Sequence, residues 1–170
     1  MKKLVLLLAC MVCAYMQSFA QTSRGDSSLG FNLGYGFESE NATLGIDYRY
    51  NITDEVRIAP SLTYFVKADD LSAVAIDVNA HYVVQLSDVF GFYPLAGVDL
   101  SFWKWHHSRL DVNDFGKRDD SHKETRLGVN LGLGAEVYAT KEMTIGLEVK
   151  YNIVKDLDQA WLGVRVGYNF

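Results

Sequence analysis

The chain has 170 residues, enough for one domain, and 49% of them are hydrophobic while 22% are charged. Its formal net charge of −5, without a basic stripe, argues against nucleic acid as a partner. No apolar run after residue 20 approaches the roughly 20 residues that a transmembrane helix needs, so only strands of about 9–11 residues could cross a membrane.

The first twenty residues have the pattern of a secretory signal. Two lysines precede the apolar run 4–16, and the small residues Ser18 and Ala20 stand at positions −3 and −1 of a cleavage site. We therefore predict a cleaved signal peptide at 1–20 and one domain at 21–170. Both cysteines lie within the predicted signal, so the domain has no disulfide. A lipoprotein signal ending at the first cysteine is the weaker alternative.

Strict alternation of apolar and polar residues predicts an all-β chain of eight strands. An even number of strands is typical of bacterial barrels, and eight is their smallest usual size. We therefore expect a closed eight-stranded antiparallel up-and-down transmembrane β-barrel. Pro60 and Pro94 fall inside predicted strands, where a bulge or a local bend is expected. The predicted strands are roughly 29–37, 42–50, 56–65, 73–84, 90–102, 125–138, 143–153 and 160–170.

The two faces of these strands differ sharply. One face is apolar and carries no charge, as a lipid-facing surface requires, and the other carries glycines and ionisable side chains. Leu131→Arg should therefore block insertion, whereas Gly132→Ser should be tolerated better. Because an eight-stranded lumen is filled by side chains, we expect the charges to form an interior network rather than to line a pore. Its predicted members are Asp47, Arg49, Arg57, Asp99, Glu136, Glu148, Lys150 and Arg165.

Large aromatic residues cluster near the predicted strand ends, which is typical of the interfacial girdles of a membrane barrel. A soluble lipocalin-like barrel would show the same alternation with its faces reversed. So many glycines on the polar face favour the membrane version, because glycine weakens a solvent-exposed strand. The residues assigned to the girdles are Tyr48, Tyr50, Tyr64, Phe65, Phe90, Phe92, Phe102, Trp103, Tyr138, Tyr151, Trp161 and Tyr168.

The connections alternate between short turns and longer loops. With the N-terminus in the periplasm, the turns 51–55, 85–89 and 139–142 are periplasmic, and each has a Thr or Ser suited to side-chain-to-backbone hydrogen bonds. The external loops are then about 38–41, 66–72, 103–124 and 154–159, of which 103–124 is the longest.

Three motifs carry a resemblance to a known family. They are the turn Tyr50-Asn51-Ile52-Thr53-Asp54-Glu55, the strand 92–99 and the ending Gly-Val-Arg-Val-Gly-Tyr-Asn-Phe at 163–170. The chain resembles the OmpA-type eight-stranded outer-membrane β-barrel family, a porin-like family of small barrels. The resemblance implies Sec-type export to the outer membrane of a Gram-negative bacterium. It also implies contact with lipid and lipopolysaccharide, and recognition of Tyr168 and Phe170 by the barrel-assembly machinery.

The expected function is non-enzymatic, in envelope integrity or in surface interaction with an unidentified ligand through the loop 103–124. We expect no cofactor and no metal, although a His-His pair near aspartates in that loop could hold a divalent ion. Three alternatives remain: a narrow ion or solute channel, a lipocalin-like periplasmic carrier, and a lipid A-modifying enzyme. The enzyme would use Ser108 as nucleophile, His106 or His107 as base, and Asp111 to orient the base.

Overall fold

A computed structural model describes residues 23–68, 71–107, 120–154 and 158–170, and these form nine strand segments. β4 and β5 are separated only by Val83 and together make one barrel strand, so the sheet has eight strands. Their bounds are β1 Ser27–Gly36, β2 Asn41–Asn51, β3 Val56–Ala68, β4 Leu71–Tyr82, β5 Val84–Ser87, β6 Phe90–His107, β7 Asp120–Tyr138, β8 Met143–Val154 and β9 Gln159–Asn169. The predicted signal at 1–20 lies outside the described residues.

Every strand pairs antiparallel with its neighbours, and the sheet closes on itself. β4 pairs with β6, and β1 pairs with β9 in a continuous register from Ser28 opposite Asn169 to Gly36 opposite Trp161. The closed eight-stranded antiparallel barrel predicted from the sequence is therefore confirmed. In the part of the chain that the structure describes, no helix has the length and hydropathy needed to cross a bilayer.

The two faces lie as the alternation predicted. Most large apolar residues of the strands point outward; Leu131 and Leu147, for example, are 49% and 50% exposed. The ionisable residues of the other face are buried, and Glu136 and Asp99 are each 1% exposed. The lipocalin-like alternative is therefore wrong, because the barrel presents its apolar face to its surroundings and encloses charge.

The prolines interrupt the hydrogen-bond ladder without changing its register. Pro60 pairs with β4, but its pairing with β2 on the other side is missing. Pro94 pairs with β7, but its pairing with β4 is missing. The gap opposite Pro94 includes Val83, which divides β4 from β5. A proline has no backbone N–H to donate, so pairing is lost locally. The expected bulges lie elsewhere, between Phe65 and Ala68 and between Gln85 and Ser87.

The connections place three short turns at one end of the barrel, which we call the turn end. The other four connections lie at the opposite end, the loop end, and the longest of them joins β6 to β7. In each of the three turns a hydroxyl accepts a hydrogen bond from the backbone N–H two residues on: Thr53 from Glu55 at 3.3 Å and Thr140 from Glu142 at 3.2 Å. Ser87 accepts one from Val89 at 3.4 Å. These bonds confirm the turn chemistry predicted from the sequence.

The hairpin of β6 and β7 is longer than the sequence predicted. Residues 103–107 pair with residues 120–124, from Trp103 opposite Glu124 to His107 opposite Asp120, so the predicted loop 103–124 is strand at both ends. β7 meets β8 only from Gly128 onward, so the hairpin continues past the end of β8. Trp103 to Trp105 also pair with β4, so the hairpin is two-stranded only beyond Trp105. Residues 120–124 are all polar, and the alternation pattern therefore missed the strand there.

Four aromatic residues assigned to the interfacial girdles point into the barrel instead. Phe65, Trp103, Tyr138 and Trp161 are all less than 9% exposed. Each is an even number of residues away from other inward-pointing residues of its strand. Because side chains alternate between the two faces of a strand, this position sets the direction of the side chain, however close the strand end is. Outward residues such as Tyr48, Tyr64 and Tyr168 keep the girdle position.

Candidate functional site in the barrel interior

The barrel interior is the part of the described structure where polar chemistry is concentrated. Strand alternation sends every second side chain inward, and eight strands leave a lumen that these side chains fill. They divide into two groups. The turn-side network comprises Asp47, Arg49, Arg57, Tyr93, Glu136, Glu148 and Arg165. The loop-side chamber is lined by thirteen residues, and its polar members include Asp77, Asp99, Ser101, Asn130, Lys150 and Asn152.

Glu136 is the centre of the turn-side network. Arg57 donates two bonds to its carboxylate, Nη1 to Oε1 at 2.9 Å and Nη2 to Oε2 at 3.1 Å. Arg49 donates to Oε2 at 3.0 Å, and the hydroxyl of Tyr138 donates to Oε1 at 2.8 Å. A buried carboxylate with four charge-assisted or hydroxyl donors is fully satisfied, so this cluster is a fixed unit rather than a mobile gate.

Tyr93 ties this cluster to the next strands. Arg49 donates to its hydroxyl at 3.1 Å, and the hydroxyl donates to Glu148 at 3.0 Å. Its ring stacks on His81 with centroids 4.6 Å apart, while the Arg57 guanidinium lies 4.8 Å from the ring centroid. The ring fits because Gly134 leaves its space, and a Cβ there would overlap the ring.

Arg165 fixes the seam where β9 closes on β1. Its Nε donates to both carboxylate oxygens of Asp47 at 2.9 Å, and its Nη2 donates to Ser28 at 3.0 Å. The side chain lies flat over Gly30 and Gly167, which face each other across the seam. Asp47 belongs to β2, so Arg165 connects the two strands on either side of β1.

The loop-side chamber has a different arrangement around Asp77. Lys150 Nζ lies 3.1 Å from Asp77 Oδ2 and 4.6 Å from the centroid of the Trp161 ring. Asn130 donates to Asp77 Oδ1 at 2.7 Å, and Ser61 donates to Oδ2 at 3.2 Å. Asp77 is therefore satisfied in the same manner as Glu136.

Among the buried carboxylates of the described residues, Asp99 is the exception. It stands directly opposite Asp77 in the β4–β6 register, and it is 1% exposed. Neither of its carboxylate oxygens has a hydrogen-bond partner among the described residues. Other polar atoms lining the chamber share this condition: Ser101 Oγ, Trp103 Nε1, Asn130 Oδ1, Asn152 Oδ1 and Gln159 Oε1.

The structure places all eight residues predicted for the interior network inside the barrel, and seven of them make ion pairs with one another or with Asp77. Asp99 makes none. The prediction left out Asp77, which pairs with Lys150, and Tyr93 and Asn130, which join the charged groups. All three have the inward spacing, and this was the signal available to find them.

Charge and volume separate the two groups further. The turn-side network holds three carboxylates and three arginines and is neutral. An open vestibule of about 400 Å³ lies on its turn-end side, lined among others by Arg49, Arg57 and Arg165. The chamber holds Asp77, Asp99 and Lys150, giving a net charge of −1 in about 30 Å³.

The chemistry expected of the long loop lies mostly outside the described residues. Ser108 and Asp111 fall in the undescribed range 108–119, and only the backbone of His106 and His107 is described. In the part of the chain that the structure describes, no three His, Cys, Asp or Glu side chains are grouped to hold a metal ion.

Several solved structures have a fold similar to that of this chain. The N-terminal β-barrel domain of Pseudomonas aeruginosa OprF is similar with a TM-score of 0.65 at 17% identity, over 86% of this chain and 98% of that one. Ail, the attachment invasion locus protein of Yersinia pestis, gives 0.61 at 18% identity, over 86% and 99%. Neisserial surface protein A gives 0.62 at 15% identity, over 85% and 94%. No curated protein sequence matched.

These likenesses show the fold, and a sequence-based family model adds the family. The model of the outer membrane protein beta-barrel domain matches residues 6–170. The outward apolar face and the enclosed charges are what a barrel in the outer membrane requires. The chain therefore belongs to the outer membrane protein β-barrel domain family and resides in the outer membrane.

Proposed function

We propose that this protein is a non-enzymatic barrel that serves envelope integrity or surface interaction through the hairpin at residues 103–124. The observation that carries the proposal is the contrast between a lumen filled with ion pairs and a β6–β7 hairpin that continues past the end of β8. A filled barrel acts as a rigid anchor, and the part that projects from it is available to a partner.

The composition of the hairpin supports a surface role. Beyond the inward-pointing Trp103, residues 104–124 contain one tryptophan, three histidines and several charges of both signs. Aromatic residues and arginine are enriched at protein interfaces, and this segment has Trp105, Phe115, Arg109 and Arg118. One of the similar structures is described as an attachment invasion locus protein, which is a surface role for that protein.

A complementation experiment separates the two halves of the proposal. A strain lacking this gene would receive either the full chain or a chain with residues 108–119 replaced by an Asn-Gly turn. We expect both to restore resistance to SDS with EDTA if the barrel maintains the envelope. We expect only the full chain to restore adhesion to host cells if the hairpin binds a surface partner. Deletion without either phenotype would contradict the proposal.

The enzyme and channel alternatives have direct tests. We expect lipid A mass spectra to be unchanged when the protein is expressed, since a lipid A-modifying enzyme would alter them. We also expect no unitary currents in planar bilayers, because the turn-side network crosses the lumen. A steady current that Arg165→Ala abolishes would instead support a narrow channel through the interior.

The proposed partners are outer-membrane lipid, lipopolysaccharide and the barrel-assembly machinery. Tyr168 and Phe170 are 61% and 69% exposed on the outer face of the closing strand, where a folding factor could contact them. We expect Phe170→Ser to slow assembly, measured as the rate at which the heat-modifiable form appears in pulse-labelled cells. Assembly at the wild-type rate would remove Phe170 from the signal.

A further inference from the structure

The loop-side chamber buries a negative charge that its side chains leave unbalanced. Lys150 offsets one of the two carboxylates, Asp77 and Asp99, and lies 3.1 Å from Asp77. The charged residues among the described ones that line the chamber therefore sum to −1. Burial of an uncompensated carboxylate is very costly, so a positive species or a proton must accompany it.

The acceptor atoms around Asp99 belong to buried side chains, and one of these side chains is held in a fixed orientation. Asp99 is 1% exposed and Asn130 is fully buried, and both line the chamber. Asn130 donates through Nδ2 to Asp77 at 2.7 Å and to Asn79 at 3.0 Å, so its Oδ1 is fixed as an acceptor that has no donor. The Asn152 and Ser101 side chains lie beside the Asp99 carboxylate and interact with it.

The register brings these acceptors together from three strands. Asp99 faces Gly128 across β6 and β7, and Asn130 faces Asn152 across β7 and β8. A Cβ on Gly128 would lie 2.8 Å from Asn152 Oδ1, so this amide oxygen leans over the glycine beside Asp99. The glycine opens the space that the oxygen atoms border.

The size of the chamber restricts the occupant. About 30 Å³ accommodates one or two particles the size of water, which excludes a sugar, a peptide or a lipid chain. Oxygen ligands favour hard cations. A divalent ion would turn the surplus of −1 into an equally costly +1, whereas one monovalent ion would neutralise the chamber.

We propose that the loop-side chamber binds one alkali cation, Na⁺ or K⁺. The Asp99 carboxylate, the amide oxygens of Asn130 and Asn152, and the hydroxyl of Ser101 are its ligands. The cation links β6, β7 and β8 where the described side chains provide no ion pair among these strands at this level, and it stabilises the loop half of the barrel.

Linkage to unfolding provides the first test. The full chain, purified from outer membranes in detergent, is titrated with urea while Na⁺ or K⁺ replaces N-methyl-D-glucamine at constant chloride. A ligand that binds only the folded state raises the folded-to-unfolded ratio in proportion to its concentration once that concentration is well above the dissociation constant. We expect a limiting log–log slope of 1 for at least one cation. A slope of zero for both would overturn the proposal, since water or a proton would then satisfy the chamber.

Variants locate the effect. Asp99→Asn should abolish the dependence on alkali cation, and Asp88→Asn, which removes an exposed carboxylate at the turn end, should leave the slope at 1. If the Asp99 variant does not fold, Ser101→Ala should raise the cation concentration that gives half of the effect. An unchanged response in Ser101→Ala and Asp99→Asn would overturn the assignment.

Crystals of the wild-type chain soaked in thallium(I) acetate give an independent readout, since Tl⁺ substitutes for K⁺ and scatters anomalously. We expect one anomalous peak between Asp99, Asn130 and Asn152. Absence of a peak at this position, in crystals soaked at a saturating concentration of thallium(I), would contradict the proposed cation site.

Discussion

The turn-side network and the loop-side chamber contain the same kinds of residue but differ in whether their buried carboxylates have partners. In the first, Glu136 and Asp47 share three arginines, and each carboxylate accepts several bonds. In the second, Asp77 is satisfied while Asp99 opposite it is not. A buried polar network stabilises a fold only when every member is partnered. The contrast indicates that the first half of the lumen is structural and that the second is built for an additional species.

The largest effect should come from the centre of the turn-side network. Glu136→Ala leaves Arg49 and Arg57 buried without their shared carboxylate, which should cost about 3–5 kcal/mol. The measurement is the urea midpoint of the heat-modifiable form. Asp99→Asn in buffer without alkali cations is the matched control, with a far smaller expected change. Equal losses in the two variants would remove the distinction between the two halves.

The outer face next to the chamber should be nearly as sensitive. Leu131 follows Asn130 on β7 but points to lipid, and Leu131→Arg should cost about 2–4 kcal/mol and block insertion. The readout is the fraction of protein in outer-membrane fractions. Gly132→Ser is a poor control, because a Cβ there would overlap the Val149 carbonyl oxygen. Gly146→Ser is suitable, since its nearest atom would be 3.5 Å away. Normal insertion of the arginine variant would contradict the assigned faces.

Glycines that make room for network side chains should matter more than other inward glycines. Gly134→Ala forces the Tyr93 ring from its stack on His81 and should cost about 1–3 kcal/mol, as overpacking does. Gly146→Ala is the control, because its Cβ would make only ordinary contacts. Urea midpoints of the two variants give the comparison, and similar midpoints would show that Tyr93 adapts freely.

Two buried serines should show the smallest difference in unfolding free energy among these comparisons. Ser28 accepts a bond from Arg165 at 3.0 Å, and Ser28→Ala should cost about 1.5 kcal/mol. Ser101 has no partner in the described residues, so Ser101→Ala should change stability little when alkali cations are absent. The unfolding free energies of the two variants in N-methyl-D-glucamine buffer measure this difference. An equal cost at both positions would mean that Ser101 is already bonded.

The sequence predicts the strands and their faces well, because period-two alternation and lipid exposure act locally on each residue. It does not predict which charges meet across the lumen. The pairing of Lys150 with Asp77 rather than with Asp99 depends on the stagger between strands far apart in the chain, which local pattern does not encode.

The misplaced aromatics were predictable in principle. Trp161 shares the inward spacing of Gly163 and Arg165, and its indole donates to Thr43 at 2.8 Å inside the barrel. Grouping aromatics by their distance from a strand end ignored this spacing. The extension of β6 and β7 was not predictable from alternation, since residues 120–124 are all polar.

The β1–β9 seam also determines the order in which this barrel can assemble. Most neighbouring strands follow one another in the chain, whereas Arg165 and Ser28 meet across 137 positions. Contacts so distant in sequence close late, because a long loop must first lose its entropy. Until then the sheet has two free edges, β1 and β9, each able to pair with a second copy of the chain. Arg165 and Trp161 reach past β1 and donate hydrogen bonds to Asp47 and Thr43 on β2. These bonds slow the reopening of the seam, and they therefore also slow the exchange of strands between two copies of the chain.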